Sequence, residues 1–139
     1  MAAASKAKES IIDRFAQVYG RSQTTAELLM EREVIGANVG CRGYTTVAQA
    51  DELAERLGLR RGWRLLDIGA GRGWPGLYLA RKTGCELVLT DPAVSGPRAA
   101  LGSAGQGRLA RRSSFLVASA TSLPFRPGVF DAIVHADVL

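Results

Sequence analysis

Histidine is almost missing from this chain, which carries one, His135, and cysteine is nearly as scarce, with Cys41 and Cys85 alone. The two cysteines lie far apart and form no Cys-x-x-Cys pair, so neither a metal-ligand cluster nor a disulfide framework can be drawn. Two buried free thiols are expected. No apolar stretch approaches the roughly 18 residues of a membrane-spanning helix. The amino-terminal MAAASKAKES also lacks the apolar block of a secretory signal. These absences point to a soluble, cytoplasmic protein with no metal and no membrane partner. Aromatic residues make up 6% of the chain. None interleaves the densest arginine cluster, GRLARRSSF with Arg108, Arg111 and Arg112, so stacking on bases is not provided for. The cluster reads as a solvated surface and a nucleic-acid partner is not expected; the net charge of +5 speaks of solubility and steering.

What is present is a globular composition. The 139 residues are 47% hydrophobic and 22% charged, enough for one domain with a core of its own. Ile11, Ile12, Phe15, Val18 and Tyr19 recur at helical spacing, and Leu28, Leu29, Val34 and Ile35 follow among charged residues. Residues 1–36 therefore read as helical, until GANVGCRG breaks the pattern. Residues 1–43 are taken as an N-terminal leader or lid, ahead of a unit spanning 44–139. A helix is expected over 47–57, because Thr46 and Gln49 make a capping-box pair, Ala50, Leu53, Ala54 and Leu57 form one stripe, and Gly58 suits its end.

From residue 64 the chain alternates. RLLDI, ELVLT, SFLVA and FDAIVHA read as short strands. PGLYLARK and the weaker, glycine-diluted VSGPRAALGSAGQGRLARR read as helices between them. Strands alternating with helices predict a parallel sheet with right-handed crossovers, an α/β fold whose ligand lies at the carboxyl ends of the strands.

The most informative stretch is LLDIGAGRGWPG, a strand, an acid and then Gly69, Gly71, Gly73 and Gly76. Glycines after a strand let bare backbone approach a ligand. Gly71-Arg-Gly-Trp-Pro-Gly76 matches the dinucleotide pattern GxGxxG, which by itself is common. Two features oppose that reading. The pattern opens four residues past Asp67 rather than at the strand end, and Asp67 is expected to set a negative charge at the mouth of the turn, where it would repel a diphosphate. A cationic sulfonium with an α-amino group and no phosphate suits the same acid.

LDIGAGRG resembles the first motif of class I S-adenosylmethionine-dependent methyltransferases, an acid followed by GxGxG, and the likeness extends from about Gly43 onward. It implies a Rossmann-like sheet in the order 3-2-1-4 preceded by the helical segment, with S-adenosylmethionine as cofactor. Asp67, Gly69, Ala70, Gly71 and Gly73 would form the cofactor's cradle. Asp91, at the end of the second strand and followed by Pro92, would accept both ribose hydroxyls; its structural alternative is to cap the next helix. Where the family often has an acid for the adenine amino group, this chain has Ser119, with Ala120 offering its backbone N–H. His135 and Asp137, after the fourth strand, would lie near the methyl end, His135 as a contact rather than a catalyst. Tyr44, in GYTT, would cover the site, while Thr46 is more simply an N-cap.

The resemblance implies methyl transfer to a small-molecule acceptor, with no catalytic residue identified. The alignment of donor and nucleophile is then the protein's main task. The family's sheet has seven strands and this chain reaches the fourth, so a truncated domain is expected, with strand four an open edge available for self-association. Two alternatives stand beside the enzyme: a non-catalytic cofactor-binding remnant, and a NAD-binding oxidoreductase domain.

Overall fold

Four short runs of Leu, Val, Ile and Phe become strands in the computed structural model, which describes residues 2–41, 43–136 and 138, with backbone alone at 2–8. The elements are α1 (Ala2–Gly20), α2 (Thr25–Ile35), α3 (Val47–Leu57), β1 (Arg64–Ile68), α4 (Gly76–Thr83), β2 (Glu86–Asp91), α5 (Ser95–Ala104), α6 (Arg108–Arg111), β3 (Ser113–Val117) and β4 (Ala132–His135). The strands form one parallel sheet in the order β3-β2-β1-β4, as expected. Register places Asp67 beside Leu89 and Val134, and Ile68 beside Thr90 and His135. Parallel pairing therefore brings the glycine turn, Asp91 and the residues after β3 and β4 to one end of the sheet.

One face of the sheet carries the core. Leu65, Leu87, Leu89, Ala132 and Val134 meet Ala50 and Ala54 of α3, Leu77, Leu79 and Ala80 of α4, Ala100 of α5 and Leu109 of α6. Each fully buried leucine there contributes about 1.5–3 kcal/mol. The opposite face is more open. Leu66 is buried, but Ile133 is 55% exposed and Leu116 37%. The edge-to-face pair Phe125–Phe130, 4.9 Å between centroids, stands beside that face in the loop leading to β4. β3 and β4 are the two edges of the sheet.

Local chemistry explains most boundaries. Thr46 and Gln49 form the expected capping box on α3, and Gly58 ends it in a left-handed conformation. A second capping box, Thr24 with Glu27, restarts the helical leader after residues 21–24, so the leader is two helices rather than one continuous stretch. The weak helix after β2 also divides, because Gly105 and Gly107 adopt positive φ between α5 and α6. Both cysteines are buried and stand outside any disulfide among the described residues. Within the arginine cluster, Arg112 serves the fold by donating to the Gly84 carbonyl at 2.9 Å, while Arg108 and Arg111 are exposed.

α1 is not a detached leader. It packs along α5, where Ser95 Oγ donates to the Ala16 carbonyl at 2.7 Å. The chain between α2 and α3 is tied down by a buried acid: Glu31 Oε1 accepts from the backbone N–H of Val39 (3.2 Å) and Cys41 (2.8 Å). Trp74 Nε1 donates to the Thr45 carbonyl at 2.8 Å, fastening the next stretch to the glycine turn.

Close packing at the start of α4 generates a paired prediction. A Cβ at Gly76 would come within 2.5 Å of Asp67 Oδ2, the atom that accepts the Gly76 N–H. Nothing lies within 4 Å of a Cβ at Gly102 in α5. Gly76→Ala is therefore expected to destabilise by about 1–3 kcal/mol through overpacking. Gly102→Ala should instead stabilise by roughly 0.5–1 kcal/mol through helix propensity. Urea unfolding of the two variants checks the opposite signs.

Candidate functional site

The turn between β1 and α4 is held by backbone and carboxylate together. Ala70 N–H donates to the Thr90 carbonyl at 3.0 Å, continuing the β1–β2 ladder past the strand end. Gly71, at φ 51°, donates its N–H to Asp91 Oδ2 at 2.9 Å. The other oxygen of Asp91 accepts from the backbone N–H of Ala93 at 2.8 Å. Asp91 is thus a clip between the end of β2 and the glycine turn, with one lone pair on each oxygen remaining for a ligand. It does not cap α5, whose N-cap position is Val94.

Asp67 lies beneath the turn, not at its mouth. It is 1% exposed, and its Oδ2 accepts from Gly76 N–H at the start of α4, where the helix dipole favours negative charge. Oδ1 is buried with no donor against it. Burial pushes this carboxyl up to about 8, the Gly76 N–H opposing and the nearby Asp91 adding to the rise. At neutral pH Asp67 is therefore mostly protonated, which corrects the expectation of a fixed charge at the opening. Burial also raises Asp91 above its usual range, against the pull of the Ala93 and Gly71 N–H groups.

A cavity of about 60 Å³ lies over Gly69, Ala70 and Gly71. Its cover comes from α1. Phe15 and Tyr19, stacked 5.6 Å apart, line it, with Cys41 and Gly43 from the loop after α2 and Ala136 after β4. A Cβ on Gly71 would meet the Tyr19 ring and hydroxyl at 3.0 Å, and one on Gly69 would meet Val138 at 2.5 Å. The Tyr19 hydroxyl is pushed up to about 12 by burial and by Asp91.

The structure gathers some expected site residues and disperses others. Gly69, Ala70 and Gly71 wall the cavity, and Asp91 stands directly behind them. Gly73 turns to the core, where its Cβ would strike Leu77 at 2.5 Å. Pro92 is exposed beside Asp91. Ser119 and Ala120 follow β3 close to Asp91, whose carbonyl accepts from Ala118 N–H at 3.2 Å. Ser119 Oγ pairs with Thr121 Oγ1 at 2.9 Å. His135 is exposed on the edge strand and its neighbour Ala136 reaches the cavity instead. Asp137 lies outside the described residues. Tyr44, expected to cover the turn, is 78% exposed and lines a neighbouring groove. Phe15 and Tyr19 take the covering position. Their helical spacing marked them only as part of a helix, and nothing local signalled that this helix meets the glycine turn. No group of three or more His, Cys, Asp or Glu suited to a metal occurs among the described residues.

The raised Asp67 carboxyl carries a pH signature. Its folded value of about 8 exceeds the ordinary carboxylate value of about 3.9, so between them the native state holds a proton that the unfolded state has lost. The contribution of Asp67 to stability is fullest below pH ~4, falls as the pH rises toward about 8, and then levels. Asp67→Asn, which keeps an acceptor for Gly76 N–H, is expected to flatten this decline. Thermal melts should show the variant gaining on the parent between pH 5 and pH 9; an equal offset at both would refute the assignment.

The profile of the methyltransferase-domain family matches residues 65–139. Methyltransferase GfsG of Streptomyces halstedii is 35% identical over 83 residues, covering 60% of this chain and 30% of that protein. The chloroplastic tocopherol O-methyltransferase of Arabidopsis thaliana is 39% identical over 71 residues, 50% of this chain and 20% of the relative. Erythromycin 3''-O-methyltransferase of Saccharopolyspora erythraea is 33% identical over 101 residues, 70% and 33%. The chain thus spans a third or less of these relatives' lengths. Among solved structures, YcgJ of Bacillus subtilis superposes with a TM-score of 0.54 at 28% identity, covering 62% of this chain and 36% of its own. A structure described as a putative S-adenosyl-L-methionine-dependent methyltransferase of Methanococcus maripaludis shares the fold at a TM-score of 0.59 and 21% identity, covering 64% and 40%. With more than half its residues matched by the family profile, the chain belongs to the methyltransferase-domain family, and its sheet order and acid-glycine turn are those that the resemblance to class I enzymes implies.

Proposed function

We propose that this chain forms the cofactor-binding part of a methyltransferase that passes the methyl group of S-adenosylmethionine to a small-molecule acceptor. One observation carries the reading: a bare turn at Gly69–Gly71 lies between the Asp91 carboxylate and an aromatic cover. The residues fit the cofactor. A Cβ at Gly71 would fill the cradle, Asp91 keeps acceptor capacity, and Asp67 Oδ1 is a buried oxygen without a donor. The names of the relatives, which include tocopherol and erythromycin O-methyltransferases, support a small-molecule acceptor.

When bound, the cofactor supplies a methyl carbon already activated by positive sulfur. This chain's residues hold, orient and shield. Gly69–Gly71 and Asp91 would hold the methionine and ribose parts, with Ser119 and Ala120 beside the adenine. The existing space of about 60 Å³ is below the roughly 300 Å³ at which ligand pockets begin. Tyr19 and Phe15 must therefore withdraw from the turn on binding, and residues 1–43 act as a lid. Returned over the ligand, their rings exclude water from the transfer. His135 remains a contact near the strand end rather than a base.

The dinucleotide reading is disfavoured by the same geometry. A diphosphate seeks the free N–H groups of a helix N-terminus, and the Gly76 N–H already belongs to Asp67. Gly73 and Gly76 of the GxGxxG pattern are both consumed by packing.

Calorimetry with S-adenosylhomocysteine tests the proposal. Saturable binding is expected, with no comparable affinity for NAD or NADH. Asp91→Asn should weaken it at least tenfold, about 1.4 kcal/mol. Amide exchange over residues 9–20 should change on binding as the lid moves. A folded chain that ignores S-adenosylhomocysteine sinks the reading; binding without methyl transfer to any acceptor favours the remnant alternative. The outer edge of β4 is the surface through which self-association would occur, and concentration-dependent sedimentation reports it.

A further inference from the structure

Beside the covered cavity lies a second hollow of about 230 Å³, between α2 and the loop leading to α3. Cys41 and Gly43 line both spaces, so the two adjoin at these residues. Met30 and Val34, four apart on α2, present one apolar face to this hollow while remaining 67% and 53% exposed. Ile35 forms its buried base and Tyr44 stands at its rim.

Its acids are already engaged. Glu31 Oε1 accepts the Val39 and Cys41 N–H groups, and Oε2 accepts from Gln23 Nε2 at 3.1 Å. Glu27 pairs with Arg21 and closes the cap on Thr24. These carboxylates shape the loop instead of selecting a cation. What the hollow offers a ligand is the apolar surface of Met30, Val34, Ile35 and Tyr44, a size suited to one or two rings, and a wall at Cys41 and Gly43 shared with the cavity over the turn.

We propose that this hollow seats the methyl acceptor, and that it selects a neutral, largely apolar molecule whose hydroxylated one- or two-ring portion enters between Met30, Val34 and Tyr44. The assignment as acceptor seat rests on the cofactor reading above, because only a ligand adjoining the Gly69–Gly71 cradle can receive the methyl group. In the transfer, the acceptor oxygen forms the new bond to the methyl carbon as the carbon–sulfur bond breaks, and the hydroxyl proton leaves to solvent on the hollow's side, where Met30 and Val34 are exposed, rather than through the covered cavity.

The chain holds two methionines, Met1 and Met30, so a chain labelled with methyl-13C methionine carries its own reporter in the hollow. With S-adenosylhomocysteine saturating, 2-naphthol should shift the Met30 methyl resonance saturably. The charged isostere 2-naphthoate should bind at least tenfold more weakly. Val34→Glu, at an exposed position, should weaken 2-naphthol at least tenfold and leave S-adenosylhomocysteine affinity within twofold. If S-adenosylhomocysteine binds but Met30 stays unmoved by 2-naphthol, or if the naphthoate binds equally well, the acceptor seat is overturned while the cofactor reading stands. If S-adenosylhomocysteine itself fails to bind, the cofactor reading falls and takes the acceptor role with it.

Discussion

Burying a carboxylate is expensive unless backbone N–H groups meet it, and this end of the sheet is organised around doing so twice. Asp91 collects the N–H groups of Gly71 and Ala93. Asp67 takes the first free N–H of α4. The two contacts fix where the chain turns after β1, and hence where α4 begins and which backbone atoms face outward. They also explain the glycines, since a side chain at Gly76 would occupy the space of the Asp67 carboxylate. The electrostatics follow from the same burial, which makes Asp67 a weak acid joined to the helix and leaves Asp91 as the acid nearer the ligand.

The helical leader then covers the site. α1 is held against α5 by packing and by Ser95, and its last turns bring Phe15 and Tyr19 onto the glycine turn. The cover joins elements far apart in sequence, α1 lying over the turn between β1 and α4. α2 and the loop after it complete the surroundings, with Glu31 bracing the loop whose other side lines the hollow beside the cavity.

Much of this architecture was legible in the residues. RLLDI, ELVLT and the Thr46–Gln49 box led to β1, β2 and α3 within a residue, because buried strands and caps are specified by neighbours in sequence. FDAIVHA shortened to Ala132–His135, since a strand lasts only as long as it has a partner, and β1 ends at Ile68. The site was read in its parts but not in its depth. Asp67 and Asp91 were recognised as functional acids, yet their distance from the surface depends on helices packed across the sheet. Tyr44 looked like a cover because GYTT resembles the aromatic-plus-small segment that many members of the family fold over the cofactor. Tyr19 covers instead, because the packing of α1 on α5 is a contact between segments about 80 residues apart.

The amino-acid sequence by itself determined the alternation of strand and helix, the acid-glycine turn and with them the family, because each is written in local periodicity, capping and backbone freedom. Tertiary structure alone decided which glycines face a ligand, how strongly Asp67 holds its proton and what closes the site. Those properties arise from long-range packing and desolvation, which no short stretch of chain encodes.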